Sequence, residues 1–259
     1  MIARNAEDRK TLREGGKRLG RVLAACAAAA VPGVAIAELD MLAERLILEA
    51  GGRPAFKGYR PSRTSAPFPG TLCVSVNDEV VHGVPTRSIT LAERDLVGLD
   101  IGMQWPSAGG LYTDTALTVC VGGCTPEQQR LVEVTERALA AGIAAAAVGS
   151  RISDIARAIQ EIVEPAGFAI VRDLVGHGVG GAVHEDPQVP NYWDAHQVDT
   201  ELLDGHVLAL EPMVTAGGWR VVVDEDAWTI RTQDHSLAAH AEHTILITKS
   251  GTEILTRAA

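Results

Sequence analysis

Aromatic residues are scarce in this 259-residue chain, at 4%, while apolar residues as a whole reach 46% and charged ones 22%. The shortage of rings therefore does not signal a missing core, because the chain is long enough to bury one built from aliphatic side chains. Only four cysteines occur, Cys26, Cys73, Cys120 and Cys124. They show neither the paired spacing of a zinc site nor the density of a secreted disulfide scaffold. A reduced, cytoplasmic setting is expected, with Cys120 and Cys124 as small residues flanking the Gly122-Gly123 turn. No block of Lys and Arg appears and the formal charge is −10, which excludes a phosphate-binding face and with it a nucleic-acid partner. A membrane-length apolar run is also missing. The stretch from Val22 to Ala37, preceded by Lys17 and Arg21, has the outline of a signal peptide, but it starts late and contains Pro32-Gly33. No Pro/Ser-rich linker divides the chain, so a single domain over residues 1–259 is expected.

What is present is a repeated design. Apolar residues Leu12, Leu19, Val22, Leu23 and Cys26 recur at helical spacing between Asp8 and Ala30. A second helix carries Leu39, Leu42, Leu46 and Ile47 on one face and stops at Gly51-Gly52. Downstream, Thr125-Pro126-Glu127-Gln128 is a capping box with proline at the first helical position, opening a helix that runs to about Gly149. A fourth helix starts at Ser153 or Asp154, buries Ile155, Ile159, Ile162 and Val163, and closes at Pro165. At an offset of 116 residues, Gly33, Ile36, Glu38, Leu39, Leu46, Ile47, Ala50 and Gly51 fall on Gly149, Ile152, Asp154, Ile155, Ile162, Val163, Ala166 and Gly167. Two similar halves, about 8–122 and 123–259, are expected.

Strands are expected at Leu72 to Val76, Asp95 to Met103, Thr115 to Val121, Val207 to Leu210, Trp219 to Val223, Ala227 to Arg231 and His243 to Thr248. Helix pairs covering antiparallel strands make an α+β fold. Within one strand, alternation sends Val97, Leu99, Ile101 and Met103 to one face and Asp100 to the other, where side-chain-free Gly98 and Gly102 are expected to leave room around the carboxylate for something to bind. A hairpin then brings Asp114 alongside. Like charges that close destabilise a sheet face unless a cation sits between them. Glu211, at the end of an apolar strand, and Glu242, at the start of another, repeat the anomaly. Any one of these acids alone reads as a solvated strand end. Together, and with His177 and His184 on the glycine-rich segment from Gly176 to Pro187, they suit divalent metal ions such as Mn, Fe, Co or Zn.

Seven motifs now fall in order: Val76-Asn77-Asp78-Glu79-Val80-Val81-His82-Gly83-Val84-Pro85, Leu99-Asp100-Ile101, Thr113-Asp114-Thr115, Gly176-His177-Gly178-Val179-Gly180, His184-Glu185-Asp186-Pro187, Leu210-Glu211-Pro212-Met213 and Ala241-Glu242-His243-Thr244. This series resembles the type I methionine aminopeptidases, over roughly Asp8 to Thr248. The resemblance implies a pita-bread (creatinase/aminopeptidase) fold, an antiparallel sheet in two pseudo-symmetric halves covered by helices. It also implies two divalent ions held by Asp100, Asp114, His177, Glu211 and Glu242, with Asp114 and Glu242 bridging. A water activated between the ions would attack the first peptide bond of a chain that begins with methionine. By the same resemblance Glu211 shuttles the proton, His184 binds the scissile carbonyl, and His82 contacts substrate near the cleaved bond. Tyr59, Cys73 and Trp228 match pocket positions for the methionine side chain. Phe56 and Val183 depart from the family, standing where other members often carry Cys and Phe, and the Arg60 to Pro69 loop is longer than usual. The implied partners are peptide and nascent-chain N-termini, with the ribosome as a candidate, and the protein is expected to act as a monomer without a membrane.

Three other readings compete. A proline-specific aminopeptidase or dipeptidase shares the fold and the five donors. A metal-free pita-bread binding module would have lost donors that are all present here. Gly176, Gly178 and Gly181 spell a dinucleotide fingerprint, but His184-Glu185-Asp186-Pro187 is expected to continue as loop where that motif needs a helix. Asp224-Glu225-Asp226 is read as a solvated hairpin turn, and His196, His206, His235 and His240 as surface residues or groups behind the donors.

Overall fold

The computed structural model describes residues 1–3, 5–196 and 198–258. Helix α1 (Ala6–Ala29) begins where the Asn5 side chain accepts the Asp8 N–H at 2.7 Å, and α2 (Ile36–Glu49) follows the Pro32-Gly33 break. Leu19, Leu23, Cys26, Leu39 and Ile47 on these helices bury against Leu72, Val74, Val97, Leu99, Ile101 and Met103. The capping box forms as expected: Thr125 accepts the Gln128 N–H, Gln128 accepts the Thr125 N–H, and α3 (Pro126–Ala145) follows. Together with α4 (Ile152–Val163) it packs Leu131, Val134, Ile155 and Ile159 onto Leu208, Leu210, Ile245 and Ile247. Each helix pair thus covers its own part of one sheet.

The strands are β1 (Arg53–Pro54), β2 (Leu72–Val76), β3 (Glu79–Val81), β4 (Leu96–Trp105), β5 (Leu111–Cys120), β6 (Ala169–Ile170), β7 (Gly176–Gly178) and β8 (Glu185–Val189). They continue with β9 (Val207–Leu210), β10 (Met213–Thr215), β11 (Val221–Val223), β12 (Ile230–Thr232), β13 (Ala238–His240), β14 (Glu242–Thr248) and β15 (Gly251–Ile254). The main sheet has nine strands in the order β1-β4-β5-β14-β9-β7-β8, with β2 on β4 and β15 on β14. Two three-stranded sheets, β13-β10-β6 and β11-β12-β3, stand beside it. The pairings are antiparallel, so the α+β expectation holds.

Register places the acids. In the β4–β5 hairpin Asp100 lies opposite Ala116 and Gly102 opposite Asp114, which sets the two carboxylates diagonally on one face. Opposite Ala116 on its other side is Glu242 of β14. The β5–β14 junction has few backbone pairs, and threonines complete it. Thr244 Oγ1 accepts the Asp114 N–H at 2.8 Å and donates to the Asp114 carbonyl at 2.7 Å, while Thr115 Oγ1 donates to the Glu242 carbonyl at 2.8 Å. These hydroxyls fix the separation of Asp114 and Glu242 where the ladder alone does not.

Four sequence expectations need correction. Glu185–Val189 is not loop but strand β8, antiparallel to β7. It ends the sheet order, and an edge strand tolerates the missing N–H of Pro187. Cys120 and Cys124 are joined by a disulfide, because the Gly122-Gly123 turn folds the chain back to a Cα separation of 5.2 Å; Cys26 and Cys73 are free and buried. Gly102 does not leave open space beside Asp100: a Cβ there would stand 2.8 Å from Phe56 Cε1, so the glycine accommodates a ring. Finally, Asp226 is not merely solvated, since its Oδ1 accepts the Trp228 and Thr229 N–H groups at 2.9 and 2.8 Å and shapes the β11–β12 hairpin. No helix among the described residues is long and apolar enough to cross a membrane.

Replacing Thr244 by Val keeps the shape but leaves a buried N–H and carbonyl of Asp114 without partners. A loss of about 3 kcal/mol is expected, read as a lowered denaturant midpoint at unchanged slope, with Thr244→Ser recovering most of it.

Candidate metal centre

Five adjacent strands of the main sheet each deliver one donor. Asp100 is on β4, Asp114 on β5, Glu242 opens β14, Glu211 follows β9 directly, and His177 is central in β7. Single atoms of Asp100, Asp114 and Glu242 lie within 4.8 Å of one another, as do those of His177, Glu211 and Glu242, and those of Asp114, His177 and His184. Asp114, Glu242 and His177 each belong to two of these groups; a carboxylate has two oxygens with which to serve two cations, whereas the imidazole has one free lone pair.

The electrostatics of this cluster are those of a site built for cations. Burial raises the pKa of Asp114 to about 7. It pushes Asp100, Glu211 and Glu242 well above the carboxylate range, with the neighbouring acids adding to it. Asp100 Oδ1 and Glu242 Oε1 are buried with no hydrogen-bond partner. His177 Nδ1 lies 2.9 Å from the Gly178 carbonyl, so it donates there and leaves the Nε2 lone pair facing Glu211 Oε1, 3.4 Å away. That is the orientation of a ligating imidazole. Burial lowers the His177 pKa to about 3, which keeps the lone pair available. Hard carboxylate oxygens and one neutral imidazole fit divalent cations.

The donors open into a cavity of about 320 Å³ that is lined by eleven of the twelve residues expected from sequence: Phe56, Tyr59, Cys73, His82, Asp100, Asp114, His177, His184, Glu211, Trp228 and Glu242. Val183 does not line it but is buried behind it against Phe56, Phe68, Cys73 and Val84. His82 sits with φ of 59° just ahead of Gly83, whose Cβ would meet the Val74 carbonyl at 2.1 Å; this tight turn aims the imidazole inward. Tyr59 Oη is 2.9 Å from His184 Nδ1. Sequence reading missed Phe68, which meets Trp228 edge-on at 5.2 Å, and Pro61 from the same long loop. Loops carry no periodicity, so nothing in the pattern singles out these two. Of the four histidines read as surface residues or groups behind the donors, His206 and His240 are buried, whereas His196 and His235 are exposed and pair with Asp194 and Asp78.

Fold and donor set together define a metal-dependent peptidase: the model of metallopeptidase family M24 matches residues 10–249, and the chain belongs to that family. Within it, the similarity is to methionine aminopeptidases. The Clostridium acetobutylicum methionine aminopeptidase is 41% identical over 256 residues, covering 99% of this chain and 98% of that one. The crystal structure of methionine aminopeptidase from Thermotoga maritima superposes with a TM-score of 0.91 at 41% identity, covering 99% of this chain and all of that one. Prolidase from Pyrococcus furiosus shares the fold at a TM-score of 0.77, with 22% identity and 66% of its own length covered. The pita-bread architecture expected from the motifs is the one present.

In the metal-free protein the raised carboxylates set a pH dependence of defined sign. A carboxyl whose folded pKa lies above its unfolded value stabilises fully below the unfolded value of 3.8 and loses that contribution as pH rises through about 7, as for Asp114. The melting temperature of chelator-treated protein should therefore fall between about pH 4 and 7. Saturating Mn²⁺ should remove most of that fall, whereas Asp114→Asn should remove only the part due to Asp114, because Asp100, Glu211 and Glu242 keep their burial.

Proposed function

We propose that the chain hydrolyses the first peptide bond of peptides and nascent proteins that begin with methionine. Asp100, Asp114, His177, Glu211 and Glu242 would hold divalent cations, and two such ions would balance the charge of the four carboxylates. The observation that carries this reading is the convergence of five donors at the floor of a cavity whose walls are soft and apolar. Cations bound there supply Lewis acidity and a water acidic enough to ionise near neutral pH.

Residues around the cluster take distinct tasks. Phe56, Tyr59, Phe68, Cys73 and Trp228 receive the methionine side chain, since an unbranched, polarisable thioether fills an irregular apolar space well. With the Tyr59 hydroxyl donating to His184 Nδ1, neutral His184 keeps its proton on Nε2 and presents a donor to the scissile carbonyl. His82 reaches the substrate on the far side of that bond. Glu211 moves the proton from the attacking water to the departing amine. We assign the enzyme to the cytoplasm on its substrate, since nascent chains expose N-terminal methionine there and the Cys120–Cys124 disulfide removes the cysteine argument for a reduced setting; the ribosome is a candidate partner and a monomer the working unit. The two similar halves, about 8–122 and 123–259, are read as an ancient duplication within one domain.

Glu211→Gln or Asp114→Asn should lower kcat on Met-Ala-Ser by at least about 10³-fold. A fully active form of either variant contradicts the assigned roles. Rates on Met-Ala-Ser should exceed those on an Ala-Pro peptide, and the reverse order would favour a proline-specific enzyme. Tyr59→Phe should reduce kcat about tenfold while retaining affinity for methionine, the signature of a misoriented donor.

A further inference from the structure

His240, the last residue of β13, is a buried imidazole to which the proposed reaction gives no task. It is 2% exposed, and its Nε2 has no hydrogen-bond partner. That nitrogen stands 3.7 Å from Glu211 Oε2. On the other oxygen of the same carboxylate, His177 Nε2 stands 3.4 Å from Oε1. Glu211 is thus flanked by two imidazoles, one for each oxygen. Of these two imidazoles it is His177 that belongs to the groups able to hold a metal ion among the described residues, so Oε1, the oxygen it faces, is on the cation side and Oε2 faces His240.

The His240 backbone is anchored in place. Thr118 Oγ1 accepts its N–H at 2.9 Å and donates to its carbonyl at 2.7 Å, and the residue pairs with Met213 across the β10–β13 ladder. A neutral imidazole carries one proton and one lone pair. Once bound cations hold Glu211 as a carboxylate, an imidazole N–H facing its oxygen is attracted and a lone pair repelled, which selects the His240 tautomer with the proton on Nε2. The separation is about half an ångström past hydrogen-bond range, a distance that side-chain torsion closes.

We propose that His240 is a positioning residue for Glu211: its Nε2–H holds Oε2, fixes the rotation of the carboxylate, and so presents Oε1 to the cation while reserving Oε2 for the shuttled proton. This rests on Glu211 being both donor and proton carrier, as argued above. Without His240 the carboxylate can rotate or chelate with both oxygens, and the oxygen that should carry the proton is no longer kept apart. The methionine pocket is untouched, since Phe56, Tyr59 and Trp228 line the cavity and His240 does not.

The test combines two substitutions with a readout that needs no turnover. In ¹⁵N-labelled protein saturated with diamagnetic Zn²⁺, the His240 ring should show the tautomer protonated at Nε2; protonation at Nδ1 overturns the proposal. His240→Leu should lower kcat on Met-Ala-Ser by about 10- to 100-fold at a KM within twofold of the parent, and weaken Mn²⁺ binding in calorimetry by about tenfold. His240→Gln, whose carboxamide nitrogen reaches the place of Nε2, should recover both to within about threefold. A merely structural role predicts a lowered melting temperature with kcat and Mn²⁺ affinity unchanged, and that result overturns the proposal, as does a Gln variant as impaired as Leu. Should the Leu variant fail to fold, the tautomer and the Gln variant still decide. A parent protein that releases no methionine refutes the reading of the site itself, whereas an active parent with an indifferent Leu variant refutes the role of His240 alone.

Discussion

The interaction on which this fold turns is repulsion among four buried carboxylates. Asp100, Asp114, Glu211 and Glu242 come from strands β4, β5, β14 and the end of β9, brought together by the order of one sheet. Each is buried deeply enough to be forced toward its neutral form. A chain gains nothing in stability from such a cluster, because apolar residues of similar size pack there at lower cost. Its persistence in the middle of a well-packed sheet makes sense when cations neutralise it and the resulting charge distribution does chemistry.

The rest of the architecture serves to hold these groups at short range against their own repulsion. Helix pairs α1/α2 and α3/α4 bury one face of the sheet, so that the strands stay in register while the opposite face carries polar groups. Thr244, Thr115 and Thr118 bolt β5 to the segment from His240 to Thr244 through side chain to backbone hydrogen bonds. Hydroxyls are suited to this, since each donates and accepts at once. The same logic runs through the cavity wall, where glycine at 102 gives way to the Phe56 ring and the Tyr59 hydroxyl engages His184. Function here is a property of adjacent strands, each contributing little alone.

Much of this was legible in the amino-acid order, for physical reasons that differ from element to element. The helices announce themselves by 3.6-residue periodicity and by the Thr125 capping box, and their ends fall within a few residues of expectation. The donors stand out because acids interrupt strands whose other residues are apolar, as Asp100 does between Leu99 and Ile101, and because the motifs around them match a known family in order. Less visible were features set by tertiary contact. Strand β8 contains Pro187 and reads as loop until its edge position is known. The Cys120–Cys124 bond depends on how sharply the Gly122-Gly123 turn folds. Phe68 and His240 have no local signal at all: one sits in an irregular loop, and the other acquires its setting only when β13 is laid beside Glu211.

The central claim is that these carboxylates and His177 form one cation-binding unit. Anomalous diffraction from crystals equilibrated with Mn²⁺, recorded on either side of the manganese absorption edge, tests it most directly. The account predicts strong anomalous density enclosed by Asp100, Asp114, His177, Glu211 and Glu242. Density confined to surface carboxylates, with the cluster empty at saturating Mn²⁺, would contradict it.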